Sequence, residues 1–375
     1  MKNLLLFLFS IVLYPGAYAQ LQNDSLEYRI KPDSIKAGTL ALSIYNFNFL
    51  RNYEFFNDFQ DGYTLFGTQL EPRLVYYVNP KLVVSAGINA RKDFGKDGLN
   101  KSYPIFTIKY QNKNFSLVNG VIEGNVNHRM IEPIFDFEQK ISRPVEYGTQ
   151  FIINKPSLFM DAFINWQRMT EPYSALQEQI YAGLSSDISL YQKAGFKLSI
   201  PVQGFVFHQG GQIDTDPSPL KTIANTALGF KVQYNRTGFV KQLQTENYLV
   251  SYSELSPTKV AVFSEGKGIF LNAGLHTRLG NLTGSYWEGN KYVSPVGMPI
   301  YQSVSQNTGI EGYSEKIRKL IFLRYTYQKQ LVSNFYFDFR VEPVFDLKSP
   351  GSKSMEFYHS MFLLYKQDFK LFKKK

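Results

Sequence analysis

The chain has four histidines, His128, His208, His276 and His359, and histidine is the side chain that serves most often as a general base. No two of them have the i, i+4 spacing of a zinc-binding His-Glu-x-x-His helix. His359 precedes Ser360, and these residue types could form the base and nucleophile of a hydrolase. In a β-strand, however, adjacent side chains point to opposite faces, so these two cannot act on each other. A serine distant in sequence could still pair with any histidine.

Cysteine is absent, which excludes disulfides, thiol chemistry and zinc–thiolate sites. The glycine-rich segment at Gly266-Lys267-Gly268 lacks the form of a phosphate-binding loop. We therefore predict no catalytic residues, no enzymatic activity, no metal and no cofactor.

Two stretches alternate between apolar and polar residues through a short turn. Leu70, Leu74 and Val78 share one face, and the alternation resumes after Asn79-Pro80-Lys81 at Leu82 and continues to Ala90. The same pattern returns at residues 334–343. These runs reach about 10 residues, the length of a tilted strand that crosses a bilayer. One face suits hydrocarbon and the other suits water, so the pattern predicts a transmembrane β-barrel.

The first twenty residues are typical of a cleavable secretory signal. Lys2 is followed by an apolar run from Leu4 to Tyr14, and Ala17-Tyr18-Ala19 supplies small residues before Gln20. We predict cleavage between Ala19 and Gln20. The polar segment 20–37 would then be a loose periplasmic arm, residues 38–370 the barrel, and residues 371–375 a basic tail.

The formal net charge is +10, which could indicate nucleic acid, an anionic membrane surface or anionic solutes as partners. An exported chain without a basic cluster is not expected to bind nucleic acid. Phenylalanine and tyrosine are abundant (32 and 26 residues), as suits a lipid-facing band with aromatic girdles.

Short turns and long polar loops alternate along the chain. We predict seven periplasmic turns, at 79–81, 111–114, 154–157, 187–192, 235–238, 278–281 and 328–330, and eight outer loops. The fold class is therefore all-β, a transmembrane antiparallel up-and-down β-barrel of about 16 strands, with 14 as the alternative. The first strand changes its apolar phase near Asn46, which suggests a bulge or an early loop.

These features resemble the outer-membrane β-barrel proteins of Gram-negative bacteria, in the size range of porins. The resemblance implies an outer-membrane location, with outer-membrane lipid and the barrel-assembly machinery as partners. It rests on architecture, since no subfamily motif is present. Asp24-Ser25-Leu26 and Asp33-Ser34-Ile35 resemble bacterial O-glycosylation sites, which makes Ser25 and Ser34 candidates for modification.

The charged residues that the alternation assigns to the lumen are mixed in sign. They could form self-paired ladders or determine ion selectivity. The lumen and selectivity candidates are Arg73, Arg91, Lys109, Asp161, Arg324, Asp338, Arg340 and Glu342. The long third outer loop could fold inward as a constriction or binding loop, or cap the barrel outside, and its candidates are His128, Arg129, Glu132, Asp136, Glu138 and Arg143.

These observations favour a water-filled channel for small hydrophilic solutes, with a weak preference for anions. A non-conducting barrel that binds partners through its outer loops is the alternative, and an outer-membrane hydrolase is the third hypothesis. The sequence indicates neither the solute nor the oligomeric state.

Overall fold

Sixteen antiparallel strands close into one barrel in the computed structural model, which describes residues 23, 26–124, 127–211, 213–348 and 355–373. The strands are β1 (Thr39–Glu54), β2 (Thr64–Asn79), β3 (Leu82–Asp93), β4 (Lys101–Asn112), β5 (Phe115–Val121), β6 (Tyr147–Lys155), β7 (Leu158–Arg168), β8 (Gln179–Lys193), β9 (Phe196–Gln209), β10 (Lys221–Asn235), β11 (Val240–Glu254), β12 (Glu265–Thr277), β13 (Gly280–Asn290), β14 (Ile317–Val332), β15 (Phe335–Asp346) and β16 (Met355–Lys373). A one-turn helix, α1 (Gln139–Ser142), and two 3₁₀ turns, Asn127–Arg129 and Pro299–Tyr301, lie in the loops. In the described residues, no helix is long and apolar enough to cross a membrane.

The barrel closes where β1 pairs with β16, in a register that runs from Thr39 opposite Lys373 to Glu54 opposite Phe357. Every other strand pairs with its neighbours in sequence. Closure satisfies the backbone of every strand without water, as a bilayer demands. The all-β fold class and the count of 16 strands are thus confirmed. β16 continues to Lys373, so residues 371–373 are strand and not a separate tail.

Two of the predicted turns lie further along the chain than expected. β8 continues to Lys193, and the chain reverses at Ala194 and Gly195, whose φ angles of 49° and 81° fit a tight hairpin turn. β14 likewise continues to Val332, and the turn lies at Ser333 and Asn334, where φ of Asn334 is 66°. In both cases the polar residues of a strand end were mistaken for the turn itself.

The first strand has neither a bulge near Asn46 nor an early end. Its side chains alternate without interruption, and Tyr45, Phe47 and Phe49 face inward and are buried, while Asn46 and Asn48 face outward. Asn46 Nδ2 donates to Thr68 Oγ1 on β2 at 2.9 Å. The predicted bulge or early loop was therefore wrong: the apolar residues change from the outer to the inner face because this part of the lumen is apolar.

Three segments fill the inside of the barrel. The arm before β1 lies in the end that holds both chain termini, where Tyr45 Oη donates to Leu26 O (3.0 Å) and Lys109 Nζ donates to Ile30 O (3.0 Å). The third outer loop (residues 122–146) and the seventh outer loop (residues 291–316) fold in from the other end. They bond to each other, with Ser294 Oγ donating to Ile134 O at 2.9 Å. The arm is therefore bound within the barrel and not loose.

Both described chain ends and all seven short turns lie at one end of the barrel, which is the periplasmic end in barrels of this class. The predicted signal peptide and Ser25 lie outside the described residues. Ser34 is exposed at the periplasmic mouth, and its glycosylation stays a prediction.

A charge placed on the lipid-facing wall should destabilise the barrel. Leu74 faces outward from the middle of β2 and is 49% exposed, so Leu74→Arg should cost about 2–4 kcal/mol. The folded fraction can be measured as the band that migrates differently before and after heating on detergent gels. Leu74→Ile is the control, and equal folded fractions for the two variants would contradict the assigned facing of β2.

Candidate functional site

The charged residues predicted to face the lumen do so, and each is held by a partner of opposite charge. The pairs are Arg73 with Glu71 (2.5 Å), Arg91 with Asp93 (2.7 Å), Lys109 with Glu123 (2.7 Å), Asp161 with His128 (3.0 Å), Arg324 with Glu132 and with Glu342 (3.2 Å), and Arg340 with Asp338 (2.8 Å). Most of these side chains are buried. The arrangement is that of self-paired ladders, which offset the cost of burying each charge.

One buried network joins the third and seventh outer loops to the wall. Arg324 on β14 donates to Glu132 of the third loop and to Tyr301 Oη of the seventh loop (2.9 Å). Glu342 on β15 lies between Arg324 and Arg51, at 3.2 and 3.9 Å. If either loop moved out of the barrel, Arg324 would lose a partner and its buried charge would be less compensated, which is costly. This network therefore holds the loops inside the barrel.

The other candidates of the third loop are also packed against the interior. Arg129 lies over the ring of Phe159 (3.7 Å), and Arg143 Nη1 donates to Tyr181 Oη (2.6 Å). Glu138 Oε2 accepts from Tyr63 Oη at 2.6 Å. Burial raises the pKa of Asp136 to about 8, with the nearby charge of Glu138 acting in the same direction. The third loop is therefore a packed plug: Glu132 and Asp136 are buried, Arg129 and Glu138 are half-buried, and Arg143 keeps an exposed side chain.

His128 is fully enclosed between two carboxylates. Its Nδ1 lies 3.0 Å from Asp161 Oδ2, its Nε2 lies 3.2 Å from Glu146 Oε2, and its ring stacks on Phe163 with centroids 3.6 Å apart. Burial alone would lower the pKa of His128, but the two carboxylates outweigh it and raise the pKa to about 9. With both ring nitrogens occupied, this histidine has no nitrogen left to accept a proton from a nucleophile.

A different histidine, on the outer wall of the barrel, lies within hydrogen-bond distance of a hydroxyl group. His208 on β9 is directly opposite Thr222 on β10, and His208 Nδ1 lies 2.9 Å from Thr222 Oγ1. Their neighbours Phe207 and Ile223 are buried inside, so strand alternation points His208 and Thr222 toward lipid. In the described residues, no other histidine has a hydroxyl partner among its hydrogen bonds. A hydroxyl within hydrogen-bond reach of an imidazole is the arrangement of a nucleophile and its base.

A second polar group lies on the outer wall across the closing seam. His359 on β16 is opposite Asn52 on β1, which is opposite Thr64 on β2. Thr64 Oγ1 donates to Asn52 Oδ1 at 2.6 Å, and Asn52 Nδ2 donates to Glu54. Thr64 is thus bound to an amide and not to a base. Ser360 faces inward and accepts from Arg51 Nη1 (3.1 Å), as its position next to His359 predicted.

No group of three or more potential metal-ligating side chains occurs in the described part of the chain.

The fold is that of Gram-negative outer-membrane barrels. The outer membrane protein OprD from Pseudomonas aeruginosa matches with a TM-score of 0.52 and 10% identity, over 92% of this chain and 98% of that one. OmpT from Vibrio cholerae, as its loop L8 deletion mutant, matches with a TM-score of 0.51 and 11% identity, over 88% of this chain and all of that one. At these identities the likeness shows the fold alone. The protein is an outer-membrane β-barrel.

The comparison with protein families is more specific than the likeness of fold. The model of the lipid A 3'-O-deacylase-type family matches residues 30–374, and the chain belongs to this family. No curated protein matches the chain. The prediction that the protein is not an enzyme was wrong, because this family is named for an enzymatic activity. The error arose from looking for catalytic pairs close in sequence.

Thr222 was missed because it lies 14 residues from His208, across an outer loop. Only the pairing register of β9 and β10 brings the two side chains together. The signal was present, since both residues flank the same predicted loop at its base. A search for hydroxyl residues directly opposite each histidine in the predicted hairpins would have found the pair.

The packing of the third loop should weaken at alkaline pH. Because the pKa of His128 is raised from 6.5 to about 9 in the fold, its protonation contributes stability that is fully present below pH 6.5. That stability is lost as pH rises through about 9, and amounts to about 3 kcal/mol at most. Thermal unfolding measured across this range should show the loss.

His128→Phe keeps a ring against Phe163 but cannot titrate, so it should lack this pH dependence. The variant is expected to be less stable at neutral pH, because Asp161 and Glu146 lose the imidazolium between them and keep only the neutral donors Gln150 and Asn165. An identical alkaline loss in His128→Phe and in the wild type would assign the effect to other groups.

Proposed function

We propose that this protein hydrolyses an ester-linked acyl chain of lipid A in the outer leaflet, with Thr222 as nucleophile and His208 as general base. The observation that carries the proposal is the 2.9 Å contact between His208 Nδ1 and Thr222 Oγ1 on the lipid-facing wall. The family name supports lipid A as the class of substrate, and the contact between the two side chains supports this position for the site.

The depth of His208 and Thr222 in the membrane matches the depth at which acyl esters lie. His208 is the last residue but one of β9, and Thr222 is the second residue of β10, so both lie at the outer ends of their strands. Ester groups join acyl chains to head groups at the boundary between hydrocarbon and water. Outward-facing Val206, below His208, and Leu255, beside Thr222, are exposed at 37% and 57% and offer apolar contact to a chain.

The reaction follows from the pair. Thr222 Oγ1 attacks the ester carbonyl while His208 accepts the hydroxyl proton. The bond from the acyl carbon to the sugar oxygen then breaks, and the protonated imidazole gives its proton to that oxygen, which leaves as a hydroxyl. This leaves the acyl group on Thr222. His208 then takes a proton from water, which attacks the acyl-threonine ester. The bond from the acyl carbon to Thr222 Oγ1 breaks, the imidazolium returns the proton to Oγ1, and a fatty acid is released.

The interior supports this outward location. The lumen holds the arm and two loops, which are joined to the wall and to each other by hydrogen bonds and by the buried Glu132–Arg324 ion pair. This packing leaves a lipid no path to the buried His128 and His276. A water-filled channel, the first hypothesis from the sequence, receives support from the barrel class but not from this filled lumen. A non-conducting barrel fits the packing of the described residues better.

Loss of one acyl chain from lipid A, detected by mass spectrometry after incubation with the purified protein, tests the activity. Thr222→Ala should abolish it, Thr222→Ser should retain it, and His208→Ala should lower the rate by about 10²-fold or more. A brief incubation should also leave an acyl mass on the peptide that contains Thr222.

The polar group across the closing seam, formed by His359, Asn52 and Thr64, supplies matched controls. His359→Ala and Thr64→Ala remove the same residue types from the same outer wall, and neither should change the rate. Loss of activity in these variants, with Thr222→Ala unaffected, would move the site to the seam. Full activity in Thr222→Ala would reject the pair as the catalytic centre.

The filled lumen can be tested separately in planar bilayers. The wild-type protein should show no steady single-channel conductance, because the third and seventh loops occupy the interior. Heat-modifiable migration on a gel establishes that the sample is folded. A steady conductance with a preference for anions would instead restore the channel hypothesis.

A further inference from the structure

The periplasmic end of the barrel carries a ring of basic side chains, one at every turn. The ring comprises Lys81, Lys113, Lys155, Lys193, Arg236, Arg278 and Lys329, each in a turn or up to four residues before it, and all seven are exposed. No Asp or Glu occurs in the stretches 79–82, 112–115, 155–158, 193–196, 235–241, 277–280 and 329–335. The positive charge is therefore uncompensated within the turns.

The outer loops differ in charge. The loop at residues 55–63 contains Asp58 and Asp61, and the loop at residues 210–220 contains Asp214 and Asp216, without any Lys or Arg in either range. Every periplasmic turn is thus basic without an acidic residue, whereas the outer loops are mixed: 255–264 and 347–354 contain Lys and no Asp or Glu, and the two loops above contain the reverse.

The ring lies at the boundary of the membrane. Large apolar side chains in or beside the same turns are exposed, among them Tyr191 (50%), Tyr234 (46%), Phe239 (56%) and Leu279 (65%). Aromatic residues at this position form the girdle that marks the bilayer interface. Long Lys and Arg side chains beside such a girdle extend their charged ends to the level of the head groups.

We infer that this ring binds the anionic head groups of phospholipids in the periplasmic leaflet. Its members are spread over all seven hairpins, so they surround the barrel and do not form one patch. A shell of lipids contacts the whole circumference, whereas a single protein partner would contact a few neighbouring turns. Each basic side chain near an anionic surface strengthens binding by about fivefold.

The rim variant that tests this replaces Lys81, Lys113, Lys155, Lys193 and Arg236 with Gln. The control replaces five exposed residues at the other end, Lys96, Lys101, Lys267, Lys316 and Lys348, with Gln, for the same change in charge. All three proteins are reconstituted in phosphatidylcholine nanodiscs with and without phosphatidylglycerol. The retention of phosphatidylglycerol over phosphatidylcholine after detergent extraction is then measured by native mass spectrometry.

The wild type and the control should retain phosphatidylglycerol in preference, and the rim variant should lose most of that preference. Added salt should weaken it, because exposed charges are screened. Equal loss in the control would show a general charge effect and overturn the inference, as would a wild type without preference. Cosedimentation of the wild type with peptidoglycan sacculi, unaffected by phosphatidylglycerol, would assign the ring to the cell wall instead.

Discussion

A barrel of 16 strands encloses more space than its own inward side chains can fill, whereas about eight strands can be filled that way. In this protein the arm and two outer loops occupy the remaining space, and much of the structure depends on that filling. Because this filling closes around the inward-facing charges, they pair with one another: Glu132 of the third loop binds Arg324, and Arg324 and Arg51 flank Glu342. The same closure allows aromatic side chains to face inward on β1, where they pack instead of meeting solvent.

The lipid-facing half of the fold could be predicted from the sequence because hydrocarbon tolerates few exceptions. Leu74 and Ile88 had to face outward, and the structure places them so. The inward half obeys a weaker rule, since an inward residue must suit whatever fills the lumen. Tyr45 and Phe47 face the arm and loop residues, such as Leu26 and Phe137, that fill this part of the lumen, and no local pattern announces that contact. The alternation of apolar residues alone therefore led to a wrong prediction for β1, that of a bulge or an early loop.

Chemistry in this barrel depends on which face a histidine occupies. His128 and His208 are the same residue type, yet His128 is held charged between Asp161 and Glu146, while His208 meets the hydroxyl of Thr222. Buried carboxylates keep a proton on an imidazole, and a neutral hydroxyl leaves the imidazole able to accept one. Sequence neighbours could not separate the two cases, because both partners come from distant positions.

Under the proposed function, the wall is the working surface of this protein, and the interior is its core. A soluble enzyme buries its core and opens a cleft, but a barrel that acts on a lipid meets its substrate from the outside, within the leaflet. A rigid wall is then an advantage, because the strand register holds His208 and Thr222 opposite each other with no loop to order. Filling the lumen contributes to that rigidity, since the packed loops fix Phe205 and Phe207, which lie on the inner face of the strand that carries His208.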